Sequence, residues 1–248
     1  MAFHTFARSR YGTDLLGRVA AGWRRIADDQ RRGVISAARI AADLAALDAP
    51  PALLMTAGHV IQEEIHHLEV CARVIEGLDP RSASMQQATE ADDLQSAAGL
   101  ERGLPRASIT SETRLARTLV AEYALGKPVT AAAFAAARAL IREPLLAWAY
   151  TELLHDEARH ATFGAKTAAW VVRRWSSRQR RALWDESLTR SASAPGRPHD
   201  EEAESLGLLP ASSDCTLPRW ILPHLAPLGM LAAPASGPAP ANETRFVH

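Results

Sequence analysis

The chain has 248 residues, 47% of them hydrophobic, and its 28 basic residues balance 28 acidic ones. That length suits one globular domain with an appendage, or two small domains, and the zero formal charge gives no reason to expect nucleic acid or an anionic membrane as partner. Two cysteines, Cys71 and Cys215, are too few for a disulfide framework, no uncharged apolar run is long enough to span a bilayer, and residues 1–10 lack the apolar stretch of a signal peptide, so a cytoplasmic protein is expected.

Alanine and leucine dominate, β-branched residues are sparse, and apolar positions recur near every 3.6 residues, which predicts an all-α fold. A first helix is expected from Thr13 to Leu47, with Trp23, Ile26, Val34, Ala37, Ala41 and Leu44 along one stripe; Asp48-Ala49-Pro50-Pro51 ends it. A second is expected from Pro51 to Ile75, stopping near Gly77 as a C-cap, and the short connection makes the two an antiparallel pair. The polar stretch from Leu78 to about Ser108 is long for a loop and predicts a crossover along a bundle. A third helix is expected over Ser111–Arg142, with a kink or restart at Gly126-Lys127-Pro128. Pro144 suits the first turn of a fourth helix reaching about Arg174, and Ser177–Leu188 reads as a short fifth. Residues 1–190 form the helical domain in this reading. Residues 191–248 form an irregular extension rich in Ser, Pro and Ala, docking through Trp220, Ile221 and Leu225 and disordered from Ala232 onward.

The chemistry concentrates in two Glu-x-x-His pairs, Glu64 with His67 and Glu157 with His160. Residues three apart share a helix face, so each pair presents a carboxylate beside an imidazole, donors that suit iron, manganese or zinc. The overlapping pairs Glu63 with His66 and Glu152 with His155 fall on the flanks. Glu64 and His67 align with Val60, Ile61, Leu68 and Cys71, and Glu157 and His160 align with Tyr150, Leu153 and Gly164. Carboxylates in an apolar interior are costly unless a cation faces them. A solvated helix face would explain either pair alone, but not both on inward stripes. Cys71 reads as a small buried thiol, Trp170, Trp175 and Trp184 as packing aromatics, and the basic run Arg173 to Arg181 as a solvated surface.

Helix order, crossover position and both Glu-x-x-His motifs make residues 13 to 175 resemble the ferritin-like superfamily of four-helix bundles. The resemblance implies a dinuclear site for two iron or manganese ions, with one further Glu from each of helices one and three. On helix one the inward stripe carries Gln30, 34 residues before Glu64. On helix three Glu122 and Lys127 lie 35 and 30 residues before Glu157, and about 140° of rotation separates them on an undistorted helix. Glu64, His67, Glu122, Glu157 and His160 are the metal ligands expected. The activity implied is an oxygen- or peroxide-dependent oxidoreductase, with a small molecule or an oxygen species as partner and a homodimer as the assembly allowed for. The alternative is a degenerate bundle that binds no metal and acts as a scaffold or partner protein; Gln30 and Lys127 favour it.

Overall fold

The computed structural model describes residues 6–80, 110–191, 201–206, 209 and 225, and every regular element among them is helical. Helix α1, Thr13–Ala46, ends one residue before the expected boundary, in a Schellman turn. Asp48, at φ 52°, takes the left-handed position, while Asp48 N donates to Ala45 O at 3.2 Å and Ala49 N to Leu44 O at 3.0 Å. The apolar contact that usually accompanies this turn is present, since Leu44 and Ala49 are buried in one cluster. Helix α2, Pro51–Leu78, starts on proline, whose missing N–H costs nothing in the first turn. It runs past the expected Gly77 cap because Leu78 is itself buried.

Helix α3 is continuous from Ser111 to Leu140 in three consecutive pieces, Ser111–Thr118, a π-helical segment Leu119–Gly126, and Lys127–Leu140. Thr110 caps its start, accepting from Thr113 N at 3.2 Å. Where a kink or restart was expected, the helix widens instead. Pro128 has no N–H to offer the carbonyl four residues back, and Lys127 N donates five residues back, to Glu122 O. Helix α4, Pro144–Val171, again starts on proline and closes with a 3-10 turn, Val172–Arg174.

Cross-helix contacts fix the directions. Arg24 with Asp79 and Gln30 with His67 make α1 and α2 antiparallel. Lys127 with Glu157 and Arg138 with Thr151 do the same for α3 and α4, and Glu63 with His160 and His66 with Glu152 for α2 and α4. Ser36 with Glu122 and Asp43 with Arg114 set α1 against α3. Thus α2 and α3 run the same way, and the end of one lies opposite the start of the other. Residues 81–109, expected to form the crossover, lie outside the described residues.

Two apolar clusters stack along the helices. One holds Trp23, Val70, Val74, Phe134, Leu146, Tyr150 and Leu153; the other holds Ile40, Leu44, Val60, Leu115, Leu119, Phe163 and Val171. Between them every long helix contributes to one polar layer. Helix α5, Ser177–Ser191, buries Leu183 and Trp184 in the second cluster. The short α6, Glu201–Ser205, was not expected; it seats Ala203 against the first cluster together with Leu206, while Leu225 enters the second. Trp220, Ile221 and residues 232–248 lie outside the described residues. No described helix is long and apolar enough to cross a membrane.

Candidate functional site

The polar layer is built from Gln30 and Gly33 of α1, Glu64 and His67 of α2, Lys127 of α3, and Asp156, Glu157 and His160 of α4. Glu64, His67, Glu157 and His160 are each 0% exposed. Their helical spacing puts them there: each Glu-x-x-His pair occupies the apolar stripe of a helix whose neighbours in sequence fill the two clusters.

At the centre stands Lys127. Its Nζ donates to Glu64 Oε1 at 2.6 Å and to Glu157 Oε1 at 3.3 Å, and lies 6.0 Å from the centroid of the Tyr123 ring. Desolvation disfavours the ammonium, but Glu157 and Glu64 outweigh it and hold the Lys127 pKa above its ordinary value. Burial alone would push the Glu64 carboxyl up; the imidazoles of His160 and His67 and the Lys127 charge reverse this and keep it far below the usual carboxylate range. Burial and the neighbouring Glu64 charge push the Tyr123 phenol up.

Both inward imidazoles turn Nδ1 to the centre and Nε2 outward to an acid. His67 Nδ1 lies 3.0 Å from Gln30 Oε1, and its Nε2 lies 3.2 Å from Asp156 Oδ2. A neutral His67 that donates to Asp156 has only a lone pair at Nδ1, which requires the Gln30 amide to present its NH2 there. His160 Nε2 lies 2.9 Å from Glu63 Oε2; its Nδ1 lies 3.2 Å from Glu64 Oε1, an ionic contact without the direction of a hydrogen bond. Burial works against the imidazolium of His160, and Glu63 and Glu64 more than restore it, so its pKa is raised. From outside, Arg159 pairs with Glu63 at 2.6 Å and with Asp156. Burial raises the Glu63 carboxyl, but His160 and Arg159 prevail and bring it down to about 2.

Four of the five expected ligands, Glu64, His67, Glu157 and His160, therefore meet in one layer. Glu122 does not join them. It is exposed and accepts from Ser36 Oγ at 2.6 Å, because the π-helical segment turns Tyr123, Ala124 and Leu125 toward the core and leaves Glu122 facing out. Lys127 takes the inward place on α3. The sequence reading missed Asp156, Glu63 and Arg159 as members of the network. The signal was present: Asp156 directly precedes Glu157, Glu63 directly precedes Glu64, and the outward Nε2 of each inward imidazole calls for a partner in a dry interior.

Two glycines make the packing possible. A Cβ on Gly33 would fall 2.6 Å from Glu64 Oε2, so a side chain there would require the Glu64 carboxylate to shift from its place beside Lys127. A Cβ on Gly164 would fall 2.2 Å from Tyr123 Cβ and 3.0 Å from Ala124 N, which fixes how closely α4 approaches the widened turn of α3.

A pair of metal ions can be tested against these residues. An acid behind each imidazole is the arrangement that orients metal-bound histidines, and Glu64 Oε2, Glu157 Oε2 and His160 Nδ1 are buried without a hydrogen bond. Against this, an ammonium that offers no lone pair sits between the two carboxylates, and the inward nitrogen of His67 faces an amide. Among the described residues no three His, Cys, Asp or Glu side chains are grouped to hold a metal ion. In this arrangement the residues do not fit two divalent ions. No protein-family model matches the chain, and no curated protein or solved structure matches it either.

Proposed function

We propose that the chain is a degenerate ferritin-like bundle in which the single positive charge of Lys127 stands between the two carboxylates that would otherwise face iron or manganese ions, and that it acts as a scaffold or partner protein. The observation that supports this is the ammonium contact to both Glu64 and Glu157. Relative to the ligand set the resemblance implies, Gln30 removes a negative charge and Lys127 exchanges another for a positive one. Both changes weaken the site's attraction for cations, and both residues are already bonded to the side chains a metal would need. Lys127 is also a poor nucleophile, because its carboxylate partners favour the protonated form.

A dinuclear oxidoreductase acting on oxygen or peroxide is the second reading, and the unpaired Glu64 Oε2, Glu157 Oε2 and His160 Nδ1 favour it. Metal analysis after anaerobic incubation with iron(II) separates the two. The wild-type chain is expected to retain no stoichiometric iron, while the doubly substituted Gln30→Glu, Lys127→Glu chain gains it, toward about two ions per chain. Stoichiometric iron in the wild type, lost on Glu64→Ala, would replace the scaffold reading with the oxidoreductase.

A further inference from the structure

The outer ridge of α4 has an internal symmetry about Arg159. Trp148 and Trp170 stand eleven residues to either side of it, and Glu152 and Lys166 stand seven. At about 100° per residue all four fall within roughly 20° of Arg159, so the five side chains form one stripe. None of the five is buried. The stripe reads aromatic, acid, arginine, base, aromatic, and the arginine at its centre is already held by Glu63 and Asp156. Each tryptophan also carries a guanidinium over its ring, Arg73 at 5.8 Å from the Trp148 centroid and Arg173 at 4.3 Å from that of Trp170.

The charge of the whole α2–α4 face follows the same division. From Pro144 to Glu157 the chain has acids and no lysine or arginine; from Ala158 to Trp184 it has lysine and arginine and no acid. On the antiparallel α2, Pro51 to Gln62 has neither, while Glu69 and Glu76 are exposed in the half that faces the start of α4. One end of the face is therefore basic, through Lys166, Arg173 and Arg174. The other is acidic, through Glu69, Glu76 and Glu152 against Arg73. Met55, 65% exposed, adds an uncovered apolar side chain on α2.

We infer that this face binds a second copy of the chain about a two-fold axis at Arg159, with the two α4 helices antiparallel. That operation sets Lys166 of each copy against Glu152 of the other, and Trp148 of each against Trp170 of the other. A partner of uniform charge would satisfy only one end of the face. Each of the two helices is 28 residues long. Side by side they present a strip about 42 Å by 20 Å, so each copy buries about 800 Å², the size of a standard specific interface. Tryptophan, methionine and arginine are the residue types enriched in such contacts.

Sedimentation velocity of the full chain tests this, at concentrations on the order of ten micromolar. The wild type is expected at twice the 26.8 kDa chain mass. Lys166→Glu and Glu152→Lys each bring like charges together twice across the axis, and each should weaken the dimer by at least about tenfold. Mixing the two variants in equal amounts pairs opposite charges at both places, so a dimer within about threefold of wild-type affinity should return. Recovery in the mixture also shows that both variants are folded. Arg39→Glu, on α1, should leave the dimer unchanged. A wild-type monomer, single variants that associate as the wild type does, or a mixture no tighter than its components overturns the assignment. None of these outcomes depends on whether the charged layer binds iron.

Discussion

At Lys127 a single ammonium is shared by two buried acids, 2.6 Å from Glu64 and 3.3 Å from Glu157. Removing one member of a buried ion pair leaves the remaining charge stranded, at a cost of about 3–5 kcal/mol. Lys127→Met should lower the urea-unfolding free energy by that order at neutral pH, and adding Glu64→Gln and Glu157→Gln should recover part of it. Full stability in the single variant would mean that the ammonium is not the counter-charge. Glu63 supplies a pH dependence. Its carboxyl titrates near 2 in the folded chain against an ordinary 4.5, so between those values the unfolded chain binds more protons. Stability is therefore complete above pH 4.5 and falls as the solution is acidified toward 2. Urea midpoints measured across that window should fall less steeply in Glu63→Gln, and superimposable curves would exclude Glu63 as a contributor.

Among the elements, α4 meets the π-helical segment of α3 at close quarters, at Gly164. Gly164→Ala would press a methyl group into the Tyr123 Cβ and the Ala124 backbone, which cannot move aside as a flexible side chain could. A loss of about 1–3 kcal/mol in thermal or urea unfolding is expected; a neutral result would show that the two helices can separate freely. The same region marks what the sequence made legible. The 3.6-residue periodicity placed α1, α2 and α4 within a few residues of their observed ends, because those helices carry strong apolar stripes and are bounded by proline or a capping turn. It also put Glu64, His67, Glu157 and His160 on inward faces. It could not place Glu122 and Lys127, since counting at 100° per residue assumes a regular helix and the π-helical turn breaks that assumption. The outer acids Glu63 and Asp156 were hidden for a different reason: they sit at the edge of a stripe, where periodicity assigns solvent and only the demand of a buried imidazole assigns a partner.

Over the whole molecule, two apolar cores meet across a charged layer, and the C-terminal region reaches both of them. Ala203 and Leu206 pack at one end and Leu225 at the other. Leu225 is completely buried, so Leu225→Ala should cost about 2–5 kcal/mol and lower Tm, as cavity-forming substitutions in a well-packed core do. An unchanged Tm would show that the helical domain is complete without that segment. The layer itself has a thermodynamic character set by covalent attachment. A bound ion leaves its site in proportion to how scarce it becomes, whereas the Nζ of Lys127 is tethered by its own backbone and has no dissociation constant. Dilution and chelators cannot strip that cation, so this part of the interior holds together irrespective of which inorganic ions surround the protein.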